Sequence, residues 1–282
     1  MKRASAIPHL IGVIVIASSF IVLATAALGI LAAFGPIDPP LTSTPAVPAT
    51  AVTTPDVLPA FAEECNGSQL DPKWSALYVA GDPGHGLDSD FLGDVSQVAV
   101  ADGLCTIRAA RQPTPSGRLY ASAAVGTRTT FAQAFGTFEA RIRYTGGQGV
   151  WPAFWMLEAG ALSPPPEIDI LEAYPGDGGA GGGSGANTVV SALHYDGGTH
   201  YFEFKGEADL TAGFHTHRLT WSPNLLVFSI DGVVTGRITR DVPDVAMYPI
   251  FNLAVGAPGF RADASSPPVA VMDIDYLRVW RP

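Results

Sequence analysis

Cysteine is almost absent: Cys65 and Cys105 are the only two in 282 residues. Two cysteines are too few for a disulfide scaffold, and no His/Cys cluster has metal-site spacing. Basic residues are also scarce. The chain carries 16 Lys and Arg against 26 Asp and Glu, a net charge of −10. An acidic surface argues against binding a nucleic-acid phosphate backbone and suits a neutral ligand such as an uncharged glycan. Long helical periodicity is missing beyond the first apolar run, and no internal repeat stands out, so helix bundles and solenoids are excluded.

The N-terminal 60 residues differ from the rest. Lys2 and Arg3 precede an uncharged apolar run of 25 residues, Leu10 to Phe34. That exceeds the roughly 7–15 residues of a signal-peptide core and suits a span of about 20. Two readings stand for residues 1–34: an uncleaved transmembrane helix with the remainder outside, or a long secretory signal cleaved near Ala24 to Ala27. Both export the rest, to the cell surface or the medium, and the anchored form makes the membrane a partner. Residues 35–60, GPIDPPLTSTPAVPATAVTTPDVLPA, are dominated by Pro, Thr and Ala and read as a semi-rigid linker. Residues 61–282 suffice for one large domain, expected to be monomeric. In an exported domain a Cys65–Cys105 disulfide is permitted.

From Phe61 onward apolar residues alternate with period two between turn signals. In GTFEARIRY, Phe138, Ala140 and Ile142 alternate with Glu139, Arg141 and Arg143. HRLTWSPNLLVFSIDGVVTGRIT reads as strand, turn, strand, Asp-Gly turn, strand. In VAVMDIDYLRVW, Val271, Asp273, Asp275 and Leu277 alternate with Met272, Ile274, Tyr276 and Arg278. The expectation is an all-β sandwich of two antiparallel sheets. GDGGAGGGSGAN, residues 176–187, is a flexible loop.

PPPEIDILEAYPGD places Glu167, Asp169 and Glu172 within six residues. A helix is disfavoured by the flanking prolines, and it would leave Glu172 about 140° from Glu167. On a regular strand Glu172 would share a face with Ile168 and Ile170, and burying an unpaired carboxylate there is costly. One β-bulge at Ile170–Leu171 removes the conflict. Glu167, Asp169, Glu172 and Tyr174 then share one face, and Ile168, Ile170 or Leu171, and Ala173 the other. Three acids on one face repel, which raises at least one carboxyl pKa, as a general acid near neutral pH requires. Paired carboxylates are the equipment of glycoside hydrolysis. A solvated acidic strand or a Ca²⁺ site remains the alternative.

Upstream, GVWPAFWML sets Trp151, Ala153 and Trp155 on one strand face. The indoles form either a stacking platform for sugar rings or part of the core. A loop with Gly160 and Pro164 to Pro166 lets this strand and the acidic strand be antiparallel neighbours. His194 in SALHYDGG is either structural or a partner for a carboxylate or sugar hydroxyl. Asn252 in YPIFNLAVG and Arg141 are further candidates for substrate contact, with a solvated sheet edge as the bland account.

Taken together, GTFEARIRY, GVWPAFWML, EIDILEAY, HTHRLTWSPNLLVFSIDG, PIFNLAVG and MDIDYLRVW resemble the family 16 glycoside hydrolases, in their laminarinase-like branch. The likeness covers Phe61 to Pro282, and the E-x-D-x-x-E motif is its most specific element. It implies a concanavalin-like jelly-roll sandwich and a retaining endo-β-glycanase acting on β-1,3- or mixed β-1,3/1,4-glucan, a polysaccharide substrate cleaved without a catalytic cofactor. By position, Glu167 would be the nucleophile, Asp169 its hydrogen-bonding partner and Glu172 the general acid and then base. Trp151, Trp155 and His194 match the substrate cleft, and Asp275 matches a structural-calcium position. The chain departs from the pattern where LSPPPEIDI lacks the usual Trp and Gly before the motif; PPEID looks like members that cut bacterial exopolysaccharides. EECNG carries Cys65 where Phe is usual, and Cys105 replaces an aliphatic residue. The same scaffold would also serve an exopolysaccharide hydrolase, a transglycosylase or a non-catalytic carbohydrate-binding module.

Overall fold

The computed structural model describes residues 58–79, 86–176 and 183–282. The expected membrane segment, residues 1–34, lies outside the described residues, as does nearly all of the 35–60 linker and the central part of the Gly-rich loop. Among the described residues no helix is long and apolar enough to cross a membrane.

Two sheets face each other. The seven-stranded sheet runs Gly198–Lys205, Thr188–Tyr195, Glu167–Glu172, Val150–Glu158, Met247–Val255, Ala124–Gly126 and Ser75–Ala76 from edge to edge. The ten-stranded sheet runs Val233–Ile238, Leu225–Ile230, His215–Ser222, Gly136–Tyr144, Val269–Trp280, Leu104–Arg111, Tyr120–Ser122 and Ser89–Phe91. Phe61–Glu63 pairs beside Val269–Trp280, and Val98–Ala101 beside Leu104–Arg111. The expected all-antiparallel pairing has one exception, the parallel pair Ser89–Phe91 with Tyr120–Ser122.

Period-two alternation places the core between the sheets. Phe138 and Ile142 come from one sheet and Phe154, Met156, Ile168 and Phe251 from the other, all essentially without solvent exposure. A smaller apolar cluster, including Ala153, Trp155, Leu157 and Ile250, covers the opposite face of the seven-stranded sheet. Along Val150–Glu158 and Met247–Val255 that sheet is therefore largely apolar on both faces, and Met247–Val255 is buried along its whole length. The Asp231-Gly232 turn has positive φ at both residues, 50° and 80°, the conformation that a two-residue hairpin needs.

Regular alternation fails in the C-terminal strand. Its register against Gly136–Tyr144 shifts between Ile274 and Tyr276. Met272 and Ile274 point inward before the shift, Leu277 and Val279 after it. The expected grouping of Leu277 with Asp273 is corrected by this bulge at Asp275, which keeps the apolar residues inside and the charged ones outside. Cys65 and Cys105 are bonded, closing a loop of sequence separation 40.

Candidate active site

The acidic strand carries the bulge that its residue pattern demands. Against Val150–Glu158, Asp169 pairs with Trp155 and Leu171 with Phe154, so Ile170 is the extra residue. The register against Thr188–Tyr195 shifts over the same stretch. Ile168, Ile170, Leu171 and Ala173 all enter the main core. Glu167, Asp169, Glu172 and Tyr174 all line an open cleft on the other face, with a volume of about 410 Å³. One extra residue thus turns Glu172 from the core to the cleft.

Neighbouring strands complete the cleft. Trp151, Ala153 and Trp155 stand on one side of the acids and His194 on the other, with Asn252 one strand further out. Both tryptophans are on the cleft face, not between the sheets, and each uses its indole N–H. Trp155 Nε1 donates to Asn252 Oδ1 at 2.7 Å. Trp151 Nε1 donates to Glu172 Oε1 at 2.9 Å, and the Tyr174 hydroxyl donates to the same oxygen at 3.1 Å. His194 Nε2 faces Asp169 Oδ2 at 3.0 Å, and its Nδ1 meets Thr199 Oγ1 at 2.8 Å.

Crowding sets the charge state. Burial, followed by repulsion from Asp169 and Glu172, holds the Glu167 carboxyl well above the ordinary range. Burial and Asp169 push Glu172 up to about 7, against the pull of His194, Trp151 and Tyr174. Burial opposes a charged His194, but Asp169 and Glu172 outweigh it and raise the imidazole pKa. The acids titrate as a coupled group: the site holds a carboxyl proton into the neutral range beside a carboxylate. Such a site can donate a proton to a leaving oxygen and present a nucleophilic oxygen nearby.

One expectation is corrected. Arg141 lies on the ten-stranded sheet, away from the cleft, where it pairs with Asp275 at 2.6 Å and stacks over Phe214 at 4.5 Å. Its alternation in GTFEARIRY fixes its face correctly, but on the other sheet. Asp275, expected at a structural-calcium position, lies on the same sheet, where its carboxylate meets the Arg141 guanidinium. Among the described residues, two groups bring three metal-capable atoms within 4.8 Å of one another. One is Glu167, Asp169 and His194; the other is Glu63 with the two cysteines, whose sulfurs are spent in the disulfide. Tyr78, Phe91, Leu162, Ser163 and Pro164 also line the cleft and were not anticipated. They sit in loops and a three-residue strand without readable period. Tyr174, by contrast, shares the acidic face and could have been named from the bulge alone.

The model of the glycosyl hydrolases family 16 matches residues 74–278. Over 195 residues the chain is 32% identical to the endo-1,3-1,4-beta-glycanase ExsH of Rhizobium meliloti, covering 66% of this chain and 40% of that protein. The endo-1,3-1,4-beta-glycanase EglC of the same organism is 31% identical, covering 64% of this chain and 39% of its own length. The chain thus spans about two fifths of these relatives. The laminarinase catalytic domain of Thermotoga maritima superposes with a TM-score of 0.70 at 25% identity, covering 79% of this chain and 98% of that one.

Proposed function

The chain belongs to the family 16 glycosyl hydrolases, and from that premise we propose that it is a retaining endo-β-glycanase hydrolysing β-1,3- or mixed β-1,3/1,4-glucans. The observation that carries this reading is the bulge-driven convergence of Glu167, Asp169 and Glu172 on one cleft floor, with the Glu172 pKa raised to about 7.

Glu167 attacks the anomeric carbon as Glu172 passes its proton to the departing glycosidic oxygen. The C–O bond to the leaving sugar breaks, and a covalent glycosyl–Glu167 ester forms. Glu172, now a carboxylate, takes a proton from water, whose oxygen attacks the same carbon and releases Glu167. Both acids end as they began. Asp169, beside Glu167, raises the nucleophile's pKa and so tunes its charge. Trp155, held by Asn252, and Trp151 offer ring faces to the sugar chain.

The reaction takes place outside the cytoplasm. The Cys65–Cys105 bond supports export, because cytosolic thiols are kept reduced. The apolar run after Lys2 and Arg3 supports a membrane anchor, with the Pro/Thr/Ala linker as spacer.

Glu167→Gln should reduce sugar release from laminarin and lichenan by roughly 10³-fold or more. Undiminished activity removes Glu167 from the mechanism. Including an exopolysaccharide in the panel, with linkage analysis of products, identifies the glycan.

A further inference from the structure

Both hydrogen bonds that Glu172 accepts fall on one oxygen. Trp151 Nε1 reaches Oε1 at 2.9 Å and the Tyr174 hydroxyl reaches it at 3.1 Å; among the described residues neither bonds Oε2. A neutral carboxyl has two unlike oxygens, a carbonyl that accepts well and a hydroxyl that donates. An indole N–H can only donate, so the oxygen it meets must accept. With a second donor on the same atom, Oε1 is strongly favoured as the carbonyl and Oε2 as the bearer of the proton.

Building on the hydrolase reading above, we propose that Trp151 and Tyr174 are positioning residues that choose which oxygen of Glu172 delivers the proton: Oε1 is held as acceptor, and Oε2 is left to face the glycosidic oxygen. The two donors both lie beyond the bulge, on its C-terminal side. Trp151 stands on the neighbouring strand, and Tyr174 follows the acidic strand by two residues. Without the bulge, Glu172 and Tyr174 would both face the core.

Rigidity supports the assignment. The Trp151 and Tyr174 rings are 5.6 Å apart, and Phe260 closes on Tyr174 edge-on at 5.7 Å. The backbone around Tyr174 is tied as well: Ala173 N–H donates to Pro152 O at 3.3 Å, and Ser184 N–H to Tyr174 O at 2.9 Å. Burial and the nearby Glu172 raise the phenol pKa well above its ordinary value, so the hydroxyl keeps its proton throughout the working range. Trp151 therefore has a task besides stacking: its N–H edge is engaged with the acid.

The test is the pH dependence of kcat/KM for wild type, Tyr174→Phe and Trp151→Phe. Tyr174→Phe removes one oxygen and leaves the ring packing in place, so it should fold. Each donor stabilises the ionised carboxylate more than the neutral acid. Its removal therefore raises the Glu172 pKa, and the basic limb of the profile should move to higher pH in both variants. At the same time kcat should fall about ten-fold, and further on a glucan than on an aryl β-glycoside whose leaving group departs without a proton. A raised KM with an unmoved limb, and equal losses on both substrates, would show ordinary packing or substrate contact and overturn the proposal. If wild type cleaves no glycan or aryl glycoside, the hydrolase reading falls on its own. The positioning claim is then decided by carboxyl ¹³C titration of Glu172, where an unshifted midpoint in Tyr174→Phe rejects it.

Discussion

His194 Nε2 stands 3.0 Å from Asp169 Oδ2, and His194 is the strand partner of Glu167. The imidazolium is thus the positive charge in a site of three acids. It lowers the Glu172 pKa and offsets the Asp169 charge that raises Glu167. His194→Gln removes that charge while leaving an amide near Thr199. Both acids should then hold their protons more tightly, and the whole kcat/KM profile should move to higher pH. Activity at pH 6 should fall by about ten-fold. Profiles between pH 4 and 9 decide it: limbs that stay in place with a uniform loss would mean that His194 acts through packing or substrate contact.

Holding a proton on Glu172 has a cost in stability. Its pKa is raised from 4.5 to about 7 on folding. Between those values the native state binds a proton that the unfolded chain does not, so stability falls as pH rises through the window. Glu167, shifted in the same direction, adds to the slope. Glu172→Gln cannot ionise and should lose most glucan activity while gaining thermal stability at pH 8 relative to pH 5. For a domain of this size, each kcal/mol recovered corresponds to about 2–4 °C in Tm. Scans at the two pH values test this, and an equal Tm change at both would contradict it.

The strand pattern and the acidic face were legible for the same reason. Apolar and charged residues segregate only if each strand is read in its correct parity, and in EIDILEAY that requires an extra residue at Ile170–Leu171. The same reasoning was available for VMDIDYL, where a regular strand would leave Leu277 outside with Asp273 and Asp275. There the extra residue at Asp275 separates the mixed faces. For Arg141, alternation fixes a face but not a sheet; its sheet follows from pairing with His215–Ser222 and Val269–Trp280. Tyr78 and Phe91 reach the cleft through long-range contacts that no local period encodes. Tyr78 even adopts a φ of 66°, a left-handed conformation unusual for a side chain of its size.

Cys65 and Cys105 close a loop with a sequence separation of 40. Chain entropy alone assigns such a closure about 4 kcal/mol. Glu63 caps this corner, accepting from Cys65 N–H at 2.8 Å and from Trp74 Nε1 at 3.2 Å, so the bridge also anchors the first strand. Replacing both cysteines by serine should lower Tm on the order of 10 °C and leave the cleft on the other sheet working at low temperature. Differential scanning calorimetry with a parallel glucan assay separates the two effects. A loss of activity without a loss of Tm is the outcome that contradicts a purely structural bridge.

His217 sets the acid limit of the fold. It is 1% exposed, and neither ring nitrogen has a hydrogen-bond partner among the described residues. Burial, reinforced by His215 and only partly opposed by Asp231, pushes its pKa down to about 3. The linkage runs opposite to that of Glu172. Below the ordinary histidine pKa of 6.5 the unfolded chain takes up a proton that the native state refuses, so stability declines as pH falls from 6.5 toward 3. Leucine at position 217 removes both the unpaired nitrogens and the titration. His217→Leu should therefore shift the acid-unfolding midpoint to lower pH and raise Tm at pH 4 by more than at pH 8. If instead both Tm values drop together, the imidazole is filling space that leucine cannot, and its packing outweighs its titration.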